Sequence, residues 1–260
     1  MKGLLFASFG TSYDDARVNN IDAVASFLDS QLTEYEIAQA YTSNMVRAIL
    51  AKRGVEIPDV CGALRQLADK GVTEVFIQPG HLLLGEEFEK VCDQAFEMAD
   101  LFEEVTVGDP VMASTQDVAD LAEILSRQFP QQENTAVVFM GHGTPQFANV
   151  VYAALNYHLQ VLDRDDMYVG TVEAFPELDI VMKLVEKKPY KNVILSPLML
   201  VAGDHAMNDM AGKDKDSWAA TFKAAGYDVV CKTVGLGALP EVQQMYLDHI
   251  HRVLEEENIA

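Results

Sequence analysis

The sequence predicts an α/β protein made of two similar domains, each a parallel sheet flanked by helices. Three observations lead there. Short apolar runs alternate with stretches of helical period along the chain, the pattern of a parallel sheet covered on both faces. The second half repeats elements of the first at nearly fixed offsets. Polar, glycine-rich motifs directly follow the apolar runs, and open α/β sheets bind ligands beyond the carboxyl ends of their strands.

Leu4 to Ser8 reads as the first strand. Asp14 or Asp15 caps a helix whose apolar stripe is Val18, Ile21, Val24, Leu28 and Leu32. Ile37 to Tyr41 is a second, weaker strand. Pro58 opens a helix carrying Val60, Leu64 and Leu67, and Gly71 closes it. Val75-Phe76-Ile77 is a strand that runs into Pro79-Gly80, followed by a helix from Glu86 to Met98 and a strand from Val105 to Val107. Ser114 or Thr115 starts a helix bearing Val118, Leu121, Ile124 and Leu125. The pattern pauses from Phe129 to Asn134, which sets a boundary between domains 1–130 and 131–260. Ala136 to Phe139, Tyr168 to Val172, Val193 to Leu195 and Val229-Val230 are the later strands, and Ala238 to Leu254 is a closing helix.

The repeat can be followed residue by residue. Val75 to Pro79 with Gly85-Glu86-Glu87 aligns with Val193 to Pro197 and Gly203-Asp204-His205. Ser8-Phe9-Gly10-Thr11 aligns with Gly141-His142-Gly143-Thr144, and Ala40-Tyr41 with Ala174-Phe175. Three matches in the same order predict two related, Rossmann-like halves. If the halves face each other, His142, His205 and Glu87 converge on one interdomain cleft.

At 260 residues, 49% hydrophobic and 23% charged, the chain has the composition of a soluble globular protein with ample core. Its net charge of −21 repels phosphate backbones and argues against a nucleic-acid partner. Cys61, Cys92 and Cys231 lie far apart and form no CxxC pair, so neither a disulfide framework nor a thiolate zinc site is expected. The apolar run at the start ends at Ser8, too short for a signal sequence or a membrane span. A cytoplasmic location is expected, with no membrane partner.

His142 lies between two glycines at a strand end, where it serves equally as a ligand or as a brace for the turn. His205 is raised above an ordinary helix-start residue by the repeat, which pairs it with Glu87. Acidic residues are common in a first helical turn, so only that pairing singles out Glu87 from its neighbours. Two imidazoles and a carboxylate suit Co²⁺, Ni²⁺, Fe²⁺ or Zn²⁺, and three protein ligands leave open positions. His81 follows Pro79-Gly80 on the same side of the sheet, and Glu173 follows the strand ending at Val172; each is a base, a substrate contact or a structural brace. Ser8, Gly10, Thr11 and Lys213 are further candidate substrate contacts, with Arg47 and Lys215 as cations for an anionic ligand. His158, within an expected helix, reads as a surface or packing residue, and His249 and His251, two apart, cannot form an i, i+4 metal pair on a helix.

Ser8-Phe9-Gly10-Thr11-Ser12-Tyr13, Phe139-Met140-Gly141-His142-Gly143 and Leu198 through His205 resemble the anaerobic cobalt chelatases of vitamin B12 synthesis. Asn208-Asp209-Met210-Ala211 and Asp216-Ser217-Trp218 extend the match, which runs from end to end. The resemblance implies a class II chelatase fold and insertion of Co²⁺ into sirohydrochlorin or its precorrin-2 form, without ATP or an organic cofactor. It implies His142, Glu87 and His205 as metal ligands and catalytic residues. Protoporphyrin ferrochelatases more usually carry a glutamate where His205 stands, and short single-domain relatives a histidine at the place of Phe9; their absence here favours cobalt. Iron or nickel insertion and a non-enzymatic metal or haem carrier remain as alternatives, and a homo-oligomer is left open. A serine hydrolase is disfavoured because no Gly-x-Ser-x-Gly elbow is present.

Overall fold

The apolar runs pair as parallel strands in a computed structural model, which describes residues 1–257. The first stretch contains β1 (Lys2–Ser8), α1 (Asp14–Ala16), a π-helical turn (Arg17–Asp22), α2 (Ala23–Gln31), β2 (Tyr35–Tyr41) and α3 (Asn44–Ala51). It continues through α4 (Val60–Asp69), β3 (Glu74–Pro79), α5 (Glu86–Glu97) and β4 (Glu104–Val107). The second contains α6 (Thr115–Gln128), β5 (Thr135–Gly141), α7 (Val150–Val161), β6 (Met167–Thr171), α8 (Leu178–Val185), β7 (Asn192–Pro197), a π-helical turn (Ala206–Met210), α9 (Trp218–Ala224) and β8 (Asp228–Cys231). The last described element is α10 (Pro240–Glu257).

The two sheets have one topology, β2-β1-β3-β4 and β6-β5-β7-β8, parallel throughout. Their central strands are apolar on both sides: β1 buries every residue after Lys2, and β5 buries all of its residues. That is why these runs read as continuous rather than alternating.

The units divide differently from the expected boundary at 130/131. One comprises Met1–Ala113 with the segment from Gly237 onward; the other is Ser114–Leu236. The helix expected to close the first half therefore opens the second unit, and the last helix returns to the first. Specific contacts explain both moves. Buried Arg164 pairs with buried Asp166 through Nε and Nη2 at 2.8 and 2.9 Å, and donates to the carbonyls of Ser126 and Phe129 at 2.7 and 2.6 Å. This fastens the end of α6 to β6. In the other unit the Tyr246 hydroxyl on α10 donates to the Gly80 carbonyl at 2.9 Å, and its ring packs edge-on against Phe6 of β1.

Other departures are local. Val18, expected in the buried stripe, is exposed, because the widened π turn changes the angular spacing before α2. Asp59, rather than Pro58, caps α4, accepting from the Gly62 amide at 2.8 Å. Ser114 starts α6 with a reciprocal capping box to Asp117. α3 follows a Ser43 cap that the apolar pattern does not signal. Among the described residues no helix is long and apolar enough to cross a membrane, and the three cysteines are unpaired.

Replacing Arg164 with alanine strands the Asp166 carboxylate in the interior. The expected loss is about 3–5 kcal/mol, the range for breaking a buried ion pair from one side. Urea unfolding of Arg164→Ala against the parent chain measures it.

Candidate metal centre

β5 delivers His142 one residue past its end, and the two flanking glycines are sterically required. A Cβ on Gly141 would lie 2.4 Å from the Tyr152 ring. Gly143 has φ +91° and would press a Cβ to within 2.9 Å of Ala174. Tyr152 of α7 is buried, and burial pushes its phenol up to about 12. The neutral hydroxyl accepts from the Gly143 amide at 3.4 Å.

Glu173 is brought alongside by backbone hydrogen bonds that continue the β5–β6 ladder. The Val172 amide donates to the Gly141 carbonyl at 3.0 Å, and the Glu173 amide to the His142 carbonyl at 2.9 Å. The Thr171 hydroxyl closes the following loop onto the Ala174 carbonyl. Glu173 Oε2 then lies 3.9 Å from His142 Nδ1.

His205 arrives beyond β7, on the residue before the second π turn. Its ring stands edge-on to that of His142, with centroids 4.8 Å apart and planes at 82°. One potential donor atom from each of His142, Glu173 and His205 falls within 4.8 Å of the others. A divalent ion with bonds of about 2.0–2.2 Å spans donor pairs up to about 4 Å apart, so small side-chain rotations suffice to close the set. All three residues reach the surface, His205 the least, with its side chain 32% exposed.

The tautomers follow from the acceptors. His142 Nδ1 is 2.9 Å from the Gly143 carbonyl, which can only accept. His205 Nδ1 is 2.7 Å from Asp209 Oδ2. A proton on each Nδ1 satisfies these acceptors, and that arrangement leaves the Nε2 lone pairs for a metal.

Glu87, the ligand expected from the repeat, belongs to the other unit and is not a member of this group. Its carboxylate accepts from the Thr42 hydroxyl and pairs with Lys90. Burial pushes Glu87 up, but the hydrogen bonds from Lys90 and Thr42, together with the nearby charges of Lys90 and His81, outweigh it and the net shift is downward. The equivalence with His205 nevertheless has a structural basis. In the first unit the Thr42 amide donates to the Ser8 carbonyl at 2.9 Å and the Ser43 amide to the Phe9 carbonyl at 3.3 Å. Phe9 and Ser43 thus occupy the places of His142 and Glu173, with Glu87 in that of His205. The match of Ala40-Tyr41 with Ala174-Phe175 does not hold: strand register pairs Ser8 with Tyr41 and Gly141 with Thr171, so Tyr41 corresponds to Thr171.

The remaining candidates are scattered. Ser8 is fully buried, Gly10 turns at φ +91° against the Tyr41 ring, and the Thr11 hydroxyl accepts from the Tyr13 amide at 3.2 Å. These three shape the loop after β1. Arg47 is already paired with Asp59 at 3.2 Å. Lys213 and Lys215 are exposed on the turn leading to the Ser217 cap of α9. His158 lies in the last turn of α7. His81 has both ring nitrogens buried, and neither finds a hydrogen-bond partner among the described residues. Burial lowers it to about 4, against a smaller upward pull from Glu87.

Apolar side chains near the donor group went unread in the sequence. Phe147 is 86% exposed on the loop after His142, and Phe175 is 63% exposed two residues past Glu173. Asn149 ties the two loops, accepting from the Thr144 amide at 3.0 Å and donating to the Phe175 carbonyl at 2.5 Å. Met207, two residues past His205, is also exposed. Asp209, four residues past His205, was legible only as an i, i+4 neighbour.

A family model described as cobalt chelatase (CbiK) matches residues 2–255. The sirohydrochlorin cobaltochelatase of Salmonella typhimurium is 39% identical over 255 residues, 97% of this chain and 96% of that protein. Sirohydrochlorin cobaltochelatase CbiKC of Nitratidesulfovibrio vulgaris is 30% identical over 257 residues, 96% of this chain and 89% of that one. These matches make the chain a metal chelatase. More narrowly, the chain belongs to the cobalt chelatase (CbiK) family. Among solved structures, SirB from Bacillus subtilis with Fe³⁺ has the same fold at TM-score 0.62 and 14% identity, covering 96% of this chain and 94% of that one. CbiX, described as the terminal enzyme for biosynthesis of siroheme in denitrifying bacteria, does so at 0.55 and 16%, covering 96% and 98%.

The lowered His81 has a consequence for stability. Its unfolded form takes up a proton below about pH 6.5 while the folded form resists down to about pH 4, so folding stability falls with pH across that window. The loss should reach about 2 kcal/mol by pH 5. Urea midpoints at pH 7 and pH 5 should drop further for the parent than for His81→Gln, which cannot titrate there.

Proposed function

We propose that this chain inserts Co²⁺ into sirohydrochlorin or its precorrin-2 form, without ATP or an organic cofactor, as a cytoplasmic step of anaerobic cobalamin synthesis. The observation that carries the reading is the three-residue donor group in a chain of the cobalt chelatase family. Co²⁺ is held by Nε2 of His142, Nε2 of His205 and the Glu173 carboxylate. Glu173 is favoured over Glu87 because it shares the group with both imidazoles, whereas Thr42 and Lys90 engage Glu87.

Coordination chemistry then orders the reaction. Three protein ligands leave positions open for the first pyrrole nitrogens, and each nitrogen that binds displaces a protein donor. Metallation releases two inner N–H protons, so two acceptors are needed. His142 Nε2, freed as the metal leaves, takes one; the freed Glu173 carboxylate takes the other. Phe147, Phe175 and Met207 offer apolar contact to the macrocycle. Lys213 and Lys215 are the nearest cations in sequence to His205 available for its carboxylates, within a strongly acidic chain.

The same donors accept Fe²⁺ or Ni²⁺, so the metal is decided by assay. Visible spectra of metal-free sirohydrochlorin with the protein and each ion under anaerobic conditions follow insertion. His142→Ala, His205→Ala and Glu173→Ala should each slow cobalt insertion by about 10²-fold or more, while Glu87→Ala keeps Co²⁺ binding. Parent rates in both histidine variants would remove the assignment, and equal loss of Co²⁺ binding in Glu87→Ala and Glu173→Ala would restore Glu87. A stoichiometric spectral change without turnover identifies a carrier.

The apolar contacts are tested separately. Phe147→Ala and Phe175→Ala should raise KM for the tetrapyrrole several-fold and leave Co²⁺ affinity alone, which calorimetry with each ligand resolves.

A further inference from the structure

The carboxylate behind His205 is not one of the donors. Asp209 Oδ2 is 2.7 Å from His205 Nδ1, on the side of the ring opposite the free lone pair. An ionised carboxylate only accepts, so it locks the proton on Nδ1 and presents Nε2 unprotonated. Its charge also makes the imidazole a stronger donor, as in the carboxylate–histidine–metal arrangements of zinc sites. His142 is oriented by the neutral Gly143 carbonyl instead, so the two imidazoles are held by acceptors of different charge.

The backbone is built to keep the pair together. Asp209 lies within the π turn Ala206–Met210, whose Ala206 and Met210 side chains are fully buried. The turn closes as the Ala211 amide donates to the Ala206 carbonyl at 3.2 Å and the Gly212 amide to that of Asn208 at 3.1 Å. A Cβ on Gly212 would lie 2.1 Å from the Asn208 oxygen, so this closure tolerates no side chain there. The Asn208 amide bonds Asp204 at 2.8 Å with the same four-residue spacing. Asp209 itself is 46% exposed in its side chain, so removing its carboxylate leaves the core intact.

We propose that Asp209 is a positioning residue for metal capture: through His205 Nδ1 it fixes the tautomer, aim and donor strength of His205 Nε2. This rests on His142, Glu173 and His205 being the Co²⁺ site. A surface i, i+4 pair with no such role would leave metal binding unchanged.

The experiment titrates the full chain with Co²⁺ alone, at one pH, by calorimetry, and reads the His205 tautomer by long-range ¹H–¹⁵N NMR. The parent should show His205 protonated on Nδ1. Asp209→Ala should lose that preference and weaken Co²⁺ binding about 10–100-fold. Asp209→Asn should keep the tautomer but recover only part of the affinity, and Asp209→Glu should recover more than Asp209→Asn. A parent His205 protonated on Nε2, or unchanged affinity in Asp209→Ala where His205→Ala abolishes binding, overturns the Asp209 role. If His205→Ala leaves Co²⁺ binding intact, the metal site itself is misassigned and the Asp209 role falls with it.

Discussion

Two backbone hydrogen bonds beyond the ends of β5 and β6 set the polar residues of the second unit's sheet end side by side. They carry the parallel ladder past the last apolar residues, from Val172 to Gly141 and from Glu173 to His142. A ladder that continues where side chains turn polar juxtaposes a carboxylate and an imidazole at fixed register. The glycines on either side of His142 follow from the same constraint. Any side chain at Gly141 would strike Tyr152, and one at Gly143 would strike Ala174 in the loop that the ladder brings close. His205 completes the group from the next strand in the sheet, so three loops at one sheet end supply three donors.

The first unit has the same ladder and a different chemistry. Thr42 and Ser43 make the equivalent bonds to Ser8 and Phe9, and Glu87 follows β3 as His205 follows β7. One carboxylate remains where the other unit has three donors. Topology thus fixes the positions at which a ligand set can arise, and the side chains at those positions decide whether it does. This is the general relation between a fold and the sites it carries.

Most of the architecture was readable because parallel strands buried on both faces leave uninterrupted apolar runs. The four inner strands β1, β3, β5 and β7 fall on such runs, whereas the outer strands β2, β4 and β8 carry polar or exposed residues and give shorter signals. The unit boundary was not readable, because it depends on Arg164 reaching the end of α6 and on Tyr246 reaching Gly80, contacts with no periodic signature. The π turns were invisible for a similar reason: hydrophobic patterning assumes one helical period, and Val18 faces solvent where that period changes. At the site, offsets of 118 and 133 paired strand ends correctly and pointed to His142 and His205. The third offset paired Tyr41 with Phe175 rather than Thr171. With correct register, Glu173 takes the position equivalent to Ser43 and lies directly beside His142. Sequence named Glu173 as a strand-end residue but had no geometry to place it beside His142.

A site that hands its metal on must bind it well enough to collect it and weakly enough to release it. As the proposed site, the exposed donor group suits the second demand: few protein ligands at a loop-lined surface can be displaced one at a time by incoming nitrogens. The first demand falls on features outside the group. A chain of net charge −21 raises the local concentration of divalent cations. The Asp209 carboxylate can strengthen one imidazole without adding a ligand that the macrocycle would have to displace. Had that carboxylate been a fourth donor, affinity would rise at the expense of transfer. Behind the ring, it acts on capture while leaving the metal's open positions to the tetrapyrrole.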